Sequence, residues 1–339
     1  MYTICVIPGD GAGQEVIPAA VQALQATGLE LNFEEACAGF ACFKKEGTAL
    51  PEETLQAAIR ADAVLFGATA SPSGPVPGYR SPILALRKEL NLFANLRPVF
   101  SLPGEFSRPG IDLLIVRETS EGLYSGREHR LGDTAIAERV ITRQASERIA
   151  RVACEQASLR LRERGRPGKL TVVHKANVLK LTDGLFRESV LSVAANYPDI
   201  QVEELLVDAA AMRLVRSPES FDVLVTTNLF GDILSDQGSA LVGGLGVAPS
   251  ANLGTGTPVF EPVHGSAPDI AGRGVANPVG AMLSGAMLLE RLGESEAAAR
   301  LREAILGSLK GGVRTADLGG SATTGEFTQE VCRRLGAMG

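Results

Sequence analysis

Short apolar runs alternate with helical segments along most of this chain, and this alternation limits the folds open to it. The runs at 4–7, 63–66 and 170–173 have the length and composition of buried strands. The segments at 14–26 and 145–164 have the composition of helices. Because strands that alternate with helices pair into helix-covered parallel sheets, the pattern predicts an α/β protein.

Bulk composition excludes several classes of protein. The chain has 339 residues and is 45% hydrophobic, which allows a large core and predicts two domains. Its 33 basic and 39 acidic residues give a net charge of 33 − 39 = −6 without a long basic run, so nucleic acid is not an expected partner. No apolar run is long enough to span a membrane, and no signal peptide is recognisable. Five scattered cysteines predict free thiols in a reducing cytoplasm.

A glycine-rich loop follows the first predicted strand and opens the first predicted helix. Its glycines are Gly9, Gly11 and Gly13, whereas the dinucleotide-binding pattern G-x-G-x-x-G requires the last glycine one residue later. The loop therefore favours a tight strand–helix turn that lines a cleft. An ordinary Rossmann loop is the less favoured alternative.

Two acidic residues four positions apart are the strongest chemical signal. Asp232 and Asp236 follow a strand-like run at 221–227. On a helix their Cβ atoms would be about 5–6 Å apart on one face. Two carboxylates that close need a cation, and oxygen ligands suit Mg²⁺ or Mn²⁺. Such a site would lie at the carboxyl end of a strand, where ligands gather in α/β sheets.

Three arginines lie near the ends of predicted elements in this acidic chain. Arg87, Arg97 and Arg117 together fit a clamp that binds carboxylates by paired hydrogen bonds. Taken singly, each arginine is better explained as a solvated surface group. The sequence alone leaves both interpretations open.

Two further charged residues follow predicted strands. Lys175 comes after the strand at 170–173 and suits either a catalytic base or a salt-bridge partner. Asp208 comes after a predicted strand at 202–207 and, taken alone, suits a helix cap. Taken with Asp232 and Asp236, it is a candidate third metal ligand.

The segment at 261–272 has two interpretations. It carries an acid that would suit a nucleotide ribose, or the segment is a structural loop.

In this order, the segments resemble the isocitrate/3-isopropylmalate/homoisocitrate dehydrogenase family, the β-decarboxylating hydroxyacid dehydrogenases. The resemblance runs from residue 7 to about 324 and is most specific at 228–236, 243–246 and 264–272. It implies a two-domain, isopropylmalate-dehydrogenase-like α/β fold that is not a Rossmann fold.

The resemblance also implies a discontinuous domain organisation. Residues 1–98 and 248–339 would form a large domain with the cofactor-binding loops. Residues 99–247 would form a small domain with the dimerisation surface, the metal-binding helix and a clasp arm at about 125–142. The protein would be a homodimer with shared active sites, or a tetramer.

Individual roles follow from the same resemblance. Tyr124 and Lys175 would be catalytic, as acid and base. Asp208, Asp232 and Asp236 would hold Mg²⁺ or Mn²⁺, with Lys175 and Asp208 serving the partner's site. Substrate-binding residues would be Ser71, Arg80, Arg87, Arg97, Arg117 and Asn177, and cofactor-binding residues would be His264, Gly265, Ser266, Ala267, Asp269, Ile270 and Asn277, with Glu261 and Asp317 as further candidates.

The substrate and cofactor are also expectations from the resemblance. Asp269 stands where NADP-preferring members carry a basic residue, so the cofactor would be NAD. Arg80 favours a tricarboxylic 2-hydroxy acid, whereas Ile83 and Leu84 favour an alkyl group. We expect homoisocitrate, with isocitrate also accepted, in lysine biosynthesis through α-aminoadipate. The alternatives are 3-isopropylmalate in leucine biosynthesis, tartrate or a malate-like acid, and a non-catalytic regulatory relative that binds anions.

Overall fold

The computed structural model describes residues 1–72, 74, 76–164 and 168–338. It contains these strands: β1 Tyr2–Ile7, β2 Leu31–Glu35, β3 Ala63–Phe66, β4 Leu92–Phe100, β5 Asp112–Glu118, β6 Glu128–Leu131, β7 Thr134–Ala137, β8 Gly168–His174, β9 Ile200–Leu206, β10 Val223–Thr226, β11 Pro249–Gly254 and β12 Val259–Pro262. The helices are α1 Gly13–Gln25, α2 Phe40–Glu46, α3 Glu52–Arg60, α4 Pro82–Glu89, α5 Arg143–Arg164, α6 Thr182–Ala194, α7 Val207–Arg216, α8 Asn228–Ala240, α9 Val279–Arg291, α10 Ser295–Lys310 and α11 Thr324–Met338.

The chain divides into two compact units. Unit 1 comprises Met1–Asn91, Ser101–Pro109 and Val242–Gly339, and unit 2 comprises Leu92–Phe100 and Gly110–Leu241. The domain boundaries expected from the sequence, at 98 and 248, differ from these in detail. Strand β4 belongs to unit 2, because it pairs antiparallel with β5, and Ser101–Pro109 belongs to unit 1.

Unit 1 is built on strands in the order β2-β1-β3-β12-β11. The first four are parallel to their neighbours and β11 runs antiparallel to β12. This order and the antiparallel strand differ from a Rossmann sheet. Helix α9, the apolar segment near the C-terminus, is buried along nearly its whole length and packs against α1 and α10. The predicted α/β class is confirmed.

Unit 2 is built on strands in the order β4-β5-β10-β8-β9. From β5 to β9 neighbouring strands are parallel, so their carboxyl ends lie at one edge. At that edge Thr226 is paired with Arg117 of β5 and with Val173 of β8. The residues that follow these strands are therefore brought together, as ligand-binding residues are in other α/β sheets.

A separate hairpin, β6–β7, lies within the segment expected to form a clasp arm. Its two strands pair antiparallel with each other, and all eight of their residues are exposed. Within the described ranges, no helix combines the length and the apolar composition needed to cross a membrane.

Candidate active site

Helix α8 carries Asp232 and Asp236 one turn apart, as the sequence predicts. It begins directly after Thr227, which is still extended at the end of β10. The Asp232 side chain is 32% exposed and that of Asp236 is 50% exposed. Burial raises the pKa of Asp236, and the nearby Arg97 opposes that shift. The pair is thus open to solvent but already needs a compensating positive charge.

Arg97, on β4, supplies part of that charge. Its Nη1 lies 3.3 Å from Asp232 and 3.2 Å from Asp236, and it donates a 2.6 Å hydrogen bond to Ser235. Its Nε donates to Asn95 at 2.7 Å. The guanidinium is buried and held on two sides, so its position relative to the carboxylates is fixed. A fixed guanidinium lets two like charges remain close.

Arg117, near the end of β5, is the second cation of the cluster and is almost fully buried. Its Nη1 donates to Asp232 and its Nη2 donates to Asn228 at 2.8 Å. A Cβ at Gly231 would lie 2.6 Å from Cγ of Arg117, so a side chain there would displace the arginine. Asn228 and Gly231 thus hold Arg117 in place, a function that their sequence pattern did not reveal.

Tyr124 joins the same cluster from a short 3₁₀ helix, Leu123–Ser125. Its hydroxyl donates a 2.5 Å hydrogen bond to Oδ2 of Asp232. The Arg117 guanidinium lies 5.1 Å from the centre of the Tyr124 ring. Burial is the largest cause that raises the pKa of Tyr124, and the hydrogen bond to Asp232 raises it further. Arg117 lowers it. At neutral pH the hydroxyl is therefore a protonated group, suited to act as an acid.

Lys175 and Asp208 form a second cluster in unit 2. Lys175 follows β8, and its Nζ donates to Oδ1 of Asp208. Asp208 lies in the first turn of α7 rather than at its cap, and its side chain is 65% exposed. The hydrogen bond from Lys175 lowers the pKa of Asp208. Asn177 is exposed two residues beyond the lysine.

The three aspartates do not form a single metal centre within this chain. Among the described residues, no three Asp, Glu, His or Cys side chains are grouped so that they could hold a metal ion. Asp232 and Asp236 nevertheless fit a hard divalent cation, because they offer two oxygen ligands on one open helix face. The remaining ligands would have to come from outside this cluster, and the three-aspartate site stays a prediction.

Arg87 belongs to unit 1, where it is held by two partners. From α4, its Nε donates to Asn252 at 2.9 Å and its Nη2 donates to Glu261 at 3.0 Å. Asn252 also donates to Glu261, at 2.8 Å. All three side chains are buried or nearly so, and the guanidinium is oriented by one carboxylate and one amide.

Ser71 and Arg80 stand on the loop before α4, and both are exposed. No described residue forms a hydrogen bond or an ion pair with Arg80. The Tyr79 hydroxyl donates to the carbonyl of Ala70 at 2.7 Å, which ties the two ends of the loop together. Asp10 of the glycine-rich loop accepts the N–H of Ala70 at 2.9 Å.

The loop that begins at His264 packs against the glycine-rich loop of unit 1. Ala12 donates its N–H to the carbonyl of Ser266 at 2.7 Å. A Cβ at Gly11, where φ is +57°, would lie 2.0 Å from that same oxygen. Nδ1 of His264 contacts the carbonyl of Gly265 at 3.0 Å, and Nε2 is buried without a partner among the described residues. Burial lowers the pKa of His264, so the ring is neutral at pH 7.

The remaining cofactor candidates differ in exposure. Asp269 is exposed, and Ala267 and Ile270 are partly exposed, with Ala267 at a φ of 40°. Asn277 is 7% exposed and is already hydrogen-bonded, donating to Asp317 at 2.9 Å and accepting from Val279 at 3.0 Å. The first three are accessible to a ligand, whereas Asn277 mainly supports the start of α9.

Known proteins match this arrangement along almost the whole chain. A family model described as isocitrate/isopropylmalate dehydrogenase matches residues 3–331. The chain belongs to the isocitrate/isopropylmalate dehydrogenase family. It is therefore an enzyme, an oxidative decarboxylase of hydroxy acids.

Three relatives in this dehydrogenase family are similar over nearly their full length. An isocitrate/homoisocitrate dehydrogenase of Thermus thermophilus is 56% identical over 335 residues, covering 98% of each chain. A 3-isopropylmalate/3-methylmalate dehydrogenase of Methanocaldococcus jannaschii is 50% identical over 337 residues, covering 99% of each. The crystal structure of a β-decarboxylating dehydrogenase from Thermococcus kodakarensis is 46% identical, with a TM-score of 0.87 over 100% of this chain and 97% of that one.

Proposed function

We propose that this enzyme oxidises and decarboxylates homoisocitrate, and also isocitrate, to the 2-oxo acid and CO₂, with NAD and Mg²⁺ or Mn²⁺. The observation that carries the proposal is the cluster around Asp232. The carboxylates of Asp232 and Asp236 are suited to a divalent cation. They are contacted by a proton donor, Tyr124, and by two buried guanidiniums, those of Arg97 and Arg117. This combination fits a 2-hydroxy acid that carries several carboxylates.

The two arginines would hold the carboxylates of the malate moiety. Both are buried and fixed by amide partners, Asn95 for Arg97 and Asn228 for Arg117. Their guanidiniums would therefore bind carboxylates by charge-assisted hydrogen bonds without a large loss of side-chain entropy. Arg87, Ser71 and Asn177 would complete the set of substrate contacts.

Lys175 and Tyr124 would move the protons. Lys175 would take the proton of the substrate 2-hydroxyl. NAD, when bound, would supply the hydride acceptor for the oxidation of the carbon that bears this hydroxyl. After CO₂ leaves, the Tyr124 hydroxyl would protonate the carbon that lost the carboxyl group. Arg117, which lowers the pKa of Tyr124, would stabilise the tyrosine anion left behind. A bound Mg²⁺ or Mn²⁺ would supply Lewis-acid stabilisation of the developing oxyanion.

A homodimer with shared active sites accounts for the separation of the two clusters. Asp208 and Lys175 would serve the partner's site, while Asp232 and Asp236 serve their own. Large apolar side chains are exposed near both clusters: Met212 and Val215 on α7, Ile233 on α8, and Val178 and Leu181 after Lys175. Exposed apolar groups of this kind favour a subunit interface, and the β6–β7 hairpin would clasp the second subunit.

NAD would bind at the loops of unit 1. The residues assigned to it are His264, Gly265, Ser266, Ala267, Asp269, Ile270 and Asn277. Exposed Asp269 would accept hydrogen bonds from the ribose hydroxyls and would repel the 2′-phosphate of NADP.

The five free cysteines fit a reducing compartment, so the proposal includes a cytoplasmic location.

Arg80 would determine the choice among acids. Its exposed guanidinium suits the extra carboxylate of homoisocitrate or isocitrate. A second candidate activity is 3-isopropylmalate dehydrogenase. It is favoured by Leu84, which is exposed on the first turns of α4, and by the name of the 50% identical relative.

The test compares kcat/KM for homoisocitrate, isocitrate and 3-isopropylmalate, with NAD and NADP in turn, in Mg²⁺, Mn²⁺ and EDTA. We expect NADH formation to be fastest with homoisocitrate and to be abolished by EDTA. An Arg80→Leu variant should lose efficiency with homoisocitrate by about 10- to 100-fold while 3-isopropylmalate is affected less. If no acid yields NADH, the proposed activity is wrong, and an unchanged ranking for Arg80→Leu refutes the role of Arg80.

A further inference from the structure

A buried ion pair lies behind Lys175, outside the cluster that would contact the substrate. Asp183, in the first turn of α6, is fully buried. Its Oδ2 accepts the backbone N–H of Lys175 at 2.6 Å. The turn from Lys175 to Leu179, which precedes α6, is closed by the N–H of Leu179, which donates to the carbonyl of Lys175 at 2.9 Å. The backbone of Lys175 is therefore held through both its N–H and its carbonyl.

Arg139 supplies the positive charge that Asp183 needs. Its Nη2 lies 2.7 Å from Oδ1 of Asp183, and the guanidinium is only 13% exposed. The same Nη2 donates to the hydroxyl of Thr227 at 2.9 Å, and the guanidinium lies 4.9 Å from the centre of the Phe230 ring. Thr227 immediately precedes α8, and Phe230 lies in its first turn.

This single guanidinium therefore connects three parts of unit 2. Arg139 follows β7, the second strand of the exposed hairpin. Through Thr227 and Phe230 it contacts the start of the helix that carries Asp232. Through Asp183 it reaches the backbone of Lys175. The arrangement fixes the lysine relative to α8 and to the end of the hairpin.

Stability alone does not account for such a pair. Burying two charges costs solvation free energy, and apolar side chains of similar size are often at least as stabilising. What this ion pair adds is geometric definition, because Asp183 is hydrogen-bonded to the Lys175 N–H and Arg139 is hydrogen-bonded to Thr227. Catalysis is sensitive to that definition, since a displacement of about 1 Å costs roughly 100-fold in rate.

We propose that Arg139 and Asp183 are positioning residues for Lys175, an inference that rests on the proposed role of Lys175 as the base. They do not touch the reacting atoms. They hold the lysine backbone at the angle from which its amine reaches the substrate hydroxyl. Loss of either residue lowers the rate of the chemical step rather than the affinity for NAD.

A matched control exists at the opposite end of β8. Asp222 is also buried, and it also pairs with an arginine, Arg160, at 2.6 Å. Its other oxygen accepts the backbone N–H of a lysine, Lys169, at 3.1 Å. Asp222→Asn thus removes the same kind of buried charge from the same unit, at a site that does not hold the Lys175 backbone.

The first measurement does not require activity. Hydrogen exchange of the Lys175 amide should be about tenfold faster in Asp183→Asn and in Arg139→Gln than in the wild type, because local opening becomes easier. Asp222→Asn should leave that amide unchanged while lowering the melting temperature. An unchanged rate at Lys175 in both test variants refutes the positioning role, whether or not the wild type oxidises any of the acids.

The second measurement is a double-mutant cycle on kcat. Asp183→Asn should lower kcat roughly 10- to 100-fold with an unchanged KM for NAD, and Arg139→Lys should restore part of the loss seen in Arg139→Gln. In a Lys175→Met background the same changes should have almost no further effect, because the group that they position is gone. If the changes lower kcat by the same factor in the wild-type and the Lys175→Met backgrounds, the proposal is wrong. Should Asp183→Asn not fold, the comparison of Arg139→Lys with Arg139→Gln decides the question alone.

Discussion

The hydroxyl of Tyr124 donates a 2.5 Å hydrogen bond to Oδ2 of Asp232, so one carboxylate serves both the proton donor and the candidate cation site. The same Asp232 accepts from Arg117 through its other oxygen, Oδ1. The position of the acid is thus tied to that of the anion-binding arginine.

Tyr124→Phe should remove the proton donor while leaving the cation site intact. We expect kcat for oxidative decarboxylation to fall about 100- to 10,000-fold, the usual contribution of a general acid. The affinity for Mg²⁺, measured by calorimetry, should change little, since both aspartates remain. The opposite result, a normal kcat with weakened Mg²⁺ binding, would mean that Tyr124 only orients Asp232.

Tyr79→Phe should affect the substrate loop of unit 1. The Tyr79 hydroxyl bonds to Ala70, and its ring contacts Phe40 and Phe43 edge-on, each with centroids 5.3 Å apart. Because the variant keeps the ring contacts, the stability loss should be about 1 kcal/mol in urea unfolding. The KM for the hydroxy acid should rise several-fold, with kcat nearly unchanged.

A control for this prediction is Tyr2→Phe. The Tyr2 hydroxyl donates to the carbonyl of Leu292 at 3.1 Å, away from the loop. It should lose similar stability without a change in KM. If Tyr2→Phe and Tyr79→Phe raise the KM for the hydroxy acid equally, Tyr79 does not act by supporting the substrate loop.

Much of the fold could be predicted from sequence because its signals are local. The paired aspartates of α8 and the buried strand Ala63–Phe66 lie where spacing and composition put them. Strand β4 was not predicted, because Arg97 and Pro98 interrupt its apolar pattern. The arginine is tolerated there because partners from α8 satisfy it, and those partners are distant in sequence.

The candidate site, like the fold, has parts that local sequence signals predict and parts that depend on long-range contacts. Residue types in Asn228–Asp236 indicated a cation site, yet the role of Asn228 in holding Arg117 depends on a contact with a distant strand. Asp208 lies just beyond the end of β9, as the sequence predicts, but within the first turn of α7 rather than at its cap. Arg139 and Asp183 gave no signal, because neither belongs to a motif. Long-range pairing of polar side chains is what sequence patterns do not encode.

The five thiols should react in an order set by burial. Cys37 is exposed, whereas Cys5 and Cys154 are fully buried, and burial raises their pKa to about 11 and about 12. At pH 8 a thiol reagent should label Cys37 within minutes and leave Cys5 and Cys154 unmodified until the protein unfolds, because the thiolate is the reactive form. Peptide mass spectrometry would measure this order. Early labelling of Cys154 would contradict the described packing of α5 against β8.

Asp236→Asn should stabilise the metal-free protein at neutral pH and weaken its response to Mg²⁺. Burial raises the native pKa of Asp236 above its ordinary value of 3.8, so the native state binds this proton more tightly than the unfolded chain does. The stabilising contribution is complete below pH 3.8 and is lost as the pH rises through the native pKa. Because the side chain is half exposed, the gain on substitution should be about 2 °C or less in melting temperature.

Thermal unfolding in EDTA between pH 4 and pH 7 would measure that difference, with exposed Asp199→Asn as the control. Added Mg²⁺ should raise the melting temperature of the wild type and of Asp199→Asn, because it binds only the native state. It should raise that of Asp236→Asn much less. Equal stabilisation of all three proteins by Mg²⁺ would exclude Asp236 as a metal ligand, and a lower melting temperature for Asp236→Asn in EDTA at pH 7 would contradict the electrostatic argument.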